Sequence, residues 1–172
     1  MSEPRAGVVG VVLAAGAATR FGSPKQRLFL PAVLAALRAT SLDEILVVSG
    51  AYRLDVPGAR VVFCPEWERG PGASLACALR ALGPETDAVV IVLADGPRLQ
   101  PAAVERVLAA WREGTGDVVA ASYGGERGHP LLLARPVWGS VGDEGARSLS
   151  PALVPCDDLG APGDIDTPTD VG

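Results

Sequence analysis

Residues 8–13 read Val-Val-Gly-Val-Val-Leu, and the chain continues to residue 26 as Ala-Ala-Gly-Ala-Ala-Thr-Arg-Phe-Gly-Ser-Pro-Lys-Gln. The first six positions are apolar in succession rather than alternately, as expected of a strand buried on both faces. Residues 14–25 are small, polar and glycine-containing, and read as a loop. Helical spacing follows over 28–38, with Leu30, Val33, Leu34 and Leu37 on one side. Pro31 is expected in the first turn of that helix, where its missing N–H does no harm. A buried strand, a loop and an amphipathic helix form the opening unit of a parallel α/β sheet.

The rest of the chain repeats the alternation. Strands are expected at 45–48, 59–63, 88–93, 117–121, 131–134 and 152–155. Helices are expected at 73–82 and at 101–113, where Pro101 suits a first turn. Strands separated by helices imply right-handed crossovers and a mostly parallel sheet covered by helices. With 172 residues and no linker or repeat, residues 1–172 are expected to form one domain. Ligands in such sheets bind beyond the carboxyl ends of the strands. The loop after Leu13 and the Asp95-Gly96-Pro97 turn after Leu93 both leave such ends.

Composition removes several classes. The chain is 48% hydrophobic with a net charge of only -5, which argues against a disordered chain. An acidic chain with scattered Arg is a poor nucleic-acid binder. No apolar run reaches the ~18 residues that cross a bilayer, and no segment before Val8 resembles a signal peptide. Cys64, Cys77 and Cys156 are far apart in sequence, without a CxxC pair, which argues against zinc and against a disulfide framework, and a reducing cytoplasm is the expected location. The chain has one lysine, Lys25, among 15 basic residues, and one histidine, His129. A codon bias towards Arg accounts for the missing lysines but not for the one retained.

Five groups of residues can carry chemistry. In the loop after Leu13, small residues let backbone N–H groups approach an anion, and Arg20 and Lys25 add two cations. Arg can fork across two oxygens while Lys reaches in as a point charge, a combination suited to a triphosphate. The spacing is neither a P-loop nor a dinucleotide fingerprint. Asp95, at a strand end, is placed as a Mg²⁺ ligand, although Asp before a turn is also an ordinary cap. Asp164 and Asp166, in Asp-Ile-Asp-Thr-Pro, offer a second carboxylate. Gly128-His129-Pro130 reads as a turn into a strand. Gly142-Asp143-Glu144-Gly145-Ala146-Arg147 reads as a turn and helix start.

Taken in order, LAAGAATRFGSPKQ, CPEWERGPGASL, VLADGPRL, GHPLLL, GDEGAR and DIDTPTD resemble the MobA-like nucleotidyltransferases, on the branch that includes molybdenum cofactor cytidylyltransferase. The resemblance covers nearly the whole chain. It implies a Rossmann-like three-layer α/β/α fold and a Mg²⁺-dependent transfer of a nucleoside monophosphate from NTP to molybdopterin, with release of pyrophosphate. It further implies that Leu13, Ala14, Ala15, Gly16 and Ser74 face the nucleotide and that Arg20 and Lys25 hold its phosphates. Asp95 and Asp166 would hold the metal, with Asp164 as the alternative, and His129, Asp143 and Arg147 would face the pterin. Arg20, Lys25 and Asp95 are the catalytic candidates. Ala15 goes with CTP in this family, and GTP is the alternative. A catalytically reduced cofactor-binding protein serving a molybdoenzyme or its chaperone is the competing reading. Two departures from the family pattern motivate it: Gly96 replaces Gln or Met, and Cys64 replaces Asn.

Overall fold

A computed structural model of the protein describes residues 7–15, 25–51 and 54–163, with the backbone alone at 25–27. The elements in chain order are β1 (Gly7–Leu13), α1 (Lys25–Arg38), β2 (Glu44–Ser49), β3 (Arg60–Phe63), α2 (Pro71–Arg80), β4 (Thr86–Leu93), α3 (Pro101–Arg112), β5 (Val118–Tyr123), β6 (Glu126–Ala134) and β7 (Ala152–Pro155). The strands form one sheet in the order β3-β2-β1-β4-β6-β5-β7. Strands β3, β2, β1 and β4 are mutually parallel. Strand β6 runs antiparallel between β4 and β5, and β7 lies parallel to β5. The fold is the expected α/β class with a mostly parallel sheet.

Strand β1 shows how the sequence makes three layers. Val8 and Val12 pack with Val33, Leu37, Val104 and Leu108, on the side of α1 and α3. Val9 and Val11 pack with Leu75 and Ala78, on the side of α2. Both faces are covered, so both parities of the strand are apolar. Burial of one Val side chain contributes roughly 1.5–3 kcal/mol, and these valines anchor the centre of the sheet. The sheet carries its loops on the carboxyl ends of β1 and β4, which stand side by side from Val8↔Ala88 to Leu13↔Leu93.

The structure departs from the expected elements in four places. Helix α1 begins at Lys25, so Pro31 lies inside it rather than in its first turn. Its apolar stripe starts only at Leu28, which is why the spacing places the start too late. Strand β6 begins at Glu126 and includes Gly128-His129-Pro130, which is therefore part of a strand and not a turn before one. Gly124 and Gly125, both at positive φ, make the two-residue turn that joins β5 to β6. Residues 142–147 form no helix start: Gly142 and Gly145 pair as an isolated bridge, with the Gly145 N–H donating to the Gly142 carbonyl at 2.9 Å.

The fourth departure concerns the cysteines. Cys64 and Cys77 form a disulfide, with Cα atoms 5.8 Å apart, against the sequence expectation. The 13-residue separation crosses the exit of β3, one 3-10 turn and the first turns of α2, and this path folds back on itself. Cys156 is buried and free. No helix among the described residues is long and apolar enough to cross a membrane.

Candidate active site

The carboxyl ends of β1 and β4 are held together by backbone groups. The Leu13 carbonyl accepts from the Ala94 N–H at 3.1 Å, and the Ala14 N–H donates to the Val48 carbonyl at 3.0 Å. The Ala15 carbonyl accepts from the Ala51 N–H at 3.0 Å. Leu13, Ala14 and Ala15 thus prolong β1 between the exits of β2 and β4, and the two alanines are buried. Gly50 lies against them, with Trp67 over it. A Cβ at Gly50 would sit 2.6 Å from Trp67 Cβ and 2.9 Å from Ala15 Cβ. Only glycine fits there. Gly16, Arg20, the Lys25 side chain, Asp164 and Asp166 lie outside the described residues; the Lys25 backbone heads α1.

A cavity of about 350 Å³ opens beside these strand ends. Leu13 and Leu93 from the strand ends, Pro71 and Leu75 of α2, and Arg147 line it. Ser74 is buried and does not line the cavity; its neighbour Leu75 does. The turn at 142–145 sits directly on the start of α2. A Cβ on Gly72 would meet the Gly142 carbonyl oxygen at 2.2 Å and that of Asp143 at 2.4 Å. Arg69 pairs with Asp143 across the same junction at 3.5 Å, between exposed side chains of small energetic weight.

Arg127 secures the other end of that segment. Its guanidinium donates to the Leu149 carbonyl at 2.7 Å and to the Ala146 carbonyl at 3.3 Å. The segment carrying Asp143 and Arg147 is therefore clamped between α2 and β6. The sequence reading missed Arg127, Gly72 and Trp67. A glycine directly after the Pro that opens a helix was the one available signal, because helix interiors disfavour Gly.

Asp95 lies half-buried in the turn after β4, where the Gly96 N–H donates to the Leu93 carbonyl at 3.2 Å. Half-buried His129 feels it. Burial lowers the His129 pKa below its ordinary value, and the Arg127 charge lowers it further, while the Asp95 charge acts in the opposite direction. His129 is accordingly neutral near pH 7. The Tyr123 hydroxyl donates to the His129 carbonyl at 2.8 Å. Burial pushes that phenol up to about 12, so it stays a donor throughout the physiological range.

The structure therefore brings Leu13, Ala14, Ala15, Asp95, His129, Asp143 and Arg147 to one edge of the sheet. No group of three or more His, Cys, Asp or Glu gathers among the described residues. Asp95 fits a metal that arrives with phosphate oxygens, since Mg²⁺ takes one or two carboxylates and fills its remaining positions with phosphate and water.

Residues 10–154 match the family described as the MobA-like NTP transferase domain. The chain belongs to this family. Among solved structures, it is similar to Rv0371c from Mycobacterium tuberculosis H37Rv, at 28% identity and a TM-score of 0.80, covering 96% of this chain and 95% of that one. A homologue of Rv0371c from Mycobacterium sp. strain JC1 gives 29% identity and a TM-score of 0.78, covering 95% and 92%. A complex of Rv0371c with manganese matches at 27% identity and a TM-score of 0.74, covering 95% of each chain. A 4-diphosphocytidyl-2C-methyl-D-erythritol synthase from Anaerococcus prevotii shares the fold at 14% identity and a TM-score of 0.70, covering 96% and 94%. No curated protein matches the chain. As a MobA-like domain, the protein falls in the nucleotidyltransferase class.

Proposed function

We propose that this MobA-like protein transfers a nucleoside monophosphate, CMP in preference, from an NTP to the terminal phosphate of molybdopterin. The carrying observation is the placement of Asp95 at the exit of β4. It follows two residues after Leu93, which lines the same cavity as His129 and Arg147, and its charge reaches His129.

In this reading the nucleotide lies over β1 and β2, with its phosphates towards Arg20 and Lys25. The acceptor lies over β4 and β6, towards His129, Asp143 and Arg147. An acceptor phosphate oxygen attacks the α-phosphorus of the NTP, a P–O bond to that phosphorus forms, and the bond to pyrophosphate breaks. The acceptor phosphate is already ionised near pH 7, so no Ser–His or Cys–His pair is required. Positioning and charge neutralisation carry such a transfer. Asp95, with Asp166, would hold Mg²⁺, which supplies charge to the phosphate oxygens. His129, neutral and tied at its carbonyl to Tyr123, orients the acceptor instead of removing a proton.

The base preference draws on Ala15 and on the bulk of Trp67 beside it, which favour the smaller base; GTP is the alternative. Transfer to a molybdopterin that is passed on to a molybdoenzyme or its chaperone would be carried out by one domain spanning 1–172. The two family departures gain structural partners: Cys64 bonds to Cys77, and Gly96 accommodates Pro162. Neither favours the reading of a reduced binding protein. The test is a panel of CTP, GTP, ATP and UTP, each with Mg²⁺ and molybdopterin, reading pyrophosphate. Release with CTP above the others is expected; binding of molybdopterin without turnover of any NTP would leave the reduced-protein reading.

A further inference from the structure

Gly128-His129-Pro130 is built as an arch in β6. Between paired positions, β5 advances from Ala120 to Ser122 while β6 goes from Leu131 to Arg127. The strand therefore carries extra residues with no partner opposite them. Proline has no N–H to give to a ladder, and glycine weakens one, so these residue types suit an interruption. Pairing of β6 with β4 stops at Ile91↔Leu131. Beyond that pair the two strands part.

The space between them is a second cavity, of about 240 Å³. Val92, Leu99 and Tyr123 line it, and all three belong to the core layer beneath α1 and α3. The 350 Å³ cavity instead includes Leu75, Ile91 and Leu131, from the layer beneath α2. Leu93, Arg127, Gly128 and His129 line both cavities. The arch is thus a partition at the sheet edge, with one cavity on each side. It is held firmly: the Tyr123 hydroxyl grips the His129 carbonyl, and a Cβ at Gly128 would lie 3.0 Å from the Tyr123 ring.

Gly96 lines the 240 Å³ cavity, named here the inner cavity, the 350 Å³ one being the outer. It is buried and is not among the glycines at positive φ, so the backbone does not demand glycine there. What the missing side chain provides is room. A Cβ would lie 3.1 Å from Pro162 Cβ, and the Arg98 N–H fixes the Pro162 carbonyl at 3.1 Å. A long side chain at 96 would have to enter the cavity or displace residues 161–163.

We propose that the inner cavity seats the ring end of the acceptor, and that Gly96 determines which acceptors fit. The inference rests on the reading above, in which a phosphorylated acceptor lies over β4 and β6. Its lining joins the apolar Val92 and Leu99 and the Tyr123 ring to the polar Glu126, Arg127 and His129. This combination takes a flat heterocycle with apolar faces and a hydrogen-bonding edge. The phosphate end stays in the outer cavity, towards Arg147. A ring-free polyol chain would leave hydroxyls unpaired against Val92 and Leu99, which costs affinity.

The experiment uses the full chain, wild type and Gly96→Met, with 6-hydroxymethylpterin as a ring probe that carries no phosphate. Amide shifts are followed by ¹H–¹⁵N NMR, and CTP binding is measured in parallel. In the wild type the probe should shift the amides of Gly96, Leu99 and Gly128. In Gly96→Met its affinity should fall by about tenfold or more, the scale of a badly filled pocket, with CTP affinity within about twofold. The wild-type titration stands even if the variant folds poorly. Absence of shifts at these amides, or equal probe affinity in a folded Gly96→Met, overturns the proposal. Probe binding in a protein that turns over no NTP would sink the transferase reading and leave the inner cavity assigned. Molybdopterin turnover that Gly96→Met leaves unchanged would do the reverse.

Discussion

Breaking the Cys64–Cys77 bond should lower the stability of the protein by about 3 kcal/mol. The bond closes a loop between residues 13 apart in sequence. In the chain-entropy account, a closed loop of roughly 14 residues removes close to 10 cal/mol/K from the unfolded chain, which is about 3 kcal/mol at 25 °C. For a chain of this size, each kcal/mol moves the melting midpoint by roughly 2–4 °C, so a fall of about 6–12 °C is expected. The assay is scanning calorimetry with and without a dithiol reductant, beside the double variant Cys64→Ala with Cys77→Ala. The double variant separates loop closure from the loss of two buried sulfurs: reduced wild type measures the first alone. A thiol titration in denaturant should find one free thiol per chain, that of buried Cys156. Three thiols in protein purified without reductant would show that the bond does not form. One thiol together with an unchanged midpoint on reduction would refute the entropic reasoning.

Other outcomes can be checked independently. Gly72→Ala puts a Cβ 2.2 Å from the Gly142 carbonyl oxygen, so the 142–145 turn must move; urea unfolding should show a loss of about 1–3 kcal/mol. Arg127→Met removes both guanidinium bonds to 146 and 149, and hydrogen exchange should quicken across 142–149 while β1 and β4 stay protected. His129 binds its proton less readily in the folded protein, through burial and Arg127 and against Asp95. Its contribution to stability is therefore full above the unfolded pKa of about 6.5 and is lost as pH falls towards the lowered folded value. His129→Gln should show a flatter stability profile over that acid range than wild type. For the proposed transfer, Asp95→Asn should cut pyrophosphate release by about a hundredfold or more, and His129→Gln by less, since removing a developing-charge stabiliser costs ~10²–10³ in rate. Equal losses would contradict the roles assigned to them.

The sheet was legible because Val8–Leu13 and Ala88–Leu93 are apolar on both parities, and only a doubly covered strand needs that pattern. Asp95 was legible because a carboxylate directly after such a strand lands at the ligand edge. The start of α1 was not, since Lys25 to Arg27 carry no apolar stripe, and a helix can be prolonged by residues that bury nothing. The Cys64–Cys77 pair was invisible for a different reason. Its proximity depends on how β3, a 3-10 turn and α2 reverse the chain, and spacing alone does not encode a reversal. Arg127 looked like one more surface cation. Its importance lies in which carbonyls it meets, 19 and 22 residues further along the chain. The arch at 128–130 was half legible: Gly and Pro flagged an interruption, but whether it ended a strand or bent one was set by the neighbours, β4 and β5.

The strand order has a consequence for how the chain is made. Strand β6 lies between β4 and β5, so the edge of β4 is covered only by residues 131–134. During synthesis the parallel half, β1 to β4, is complete some forty residues before β6 emerges from the ribosome. Until then Thr86–Leu93, a run with six consecutive apolar residues, is an open edge able to pair with another chain. The nascent protein is thus exposed to misassembly at its own centre, and slower translation between residues 94 and 126 would lengthen that exposure.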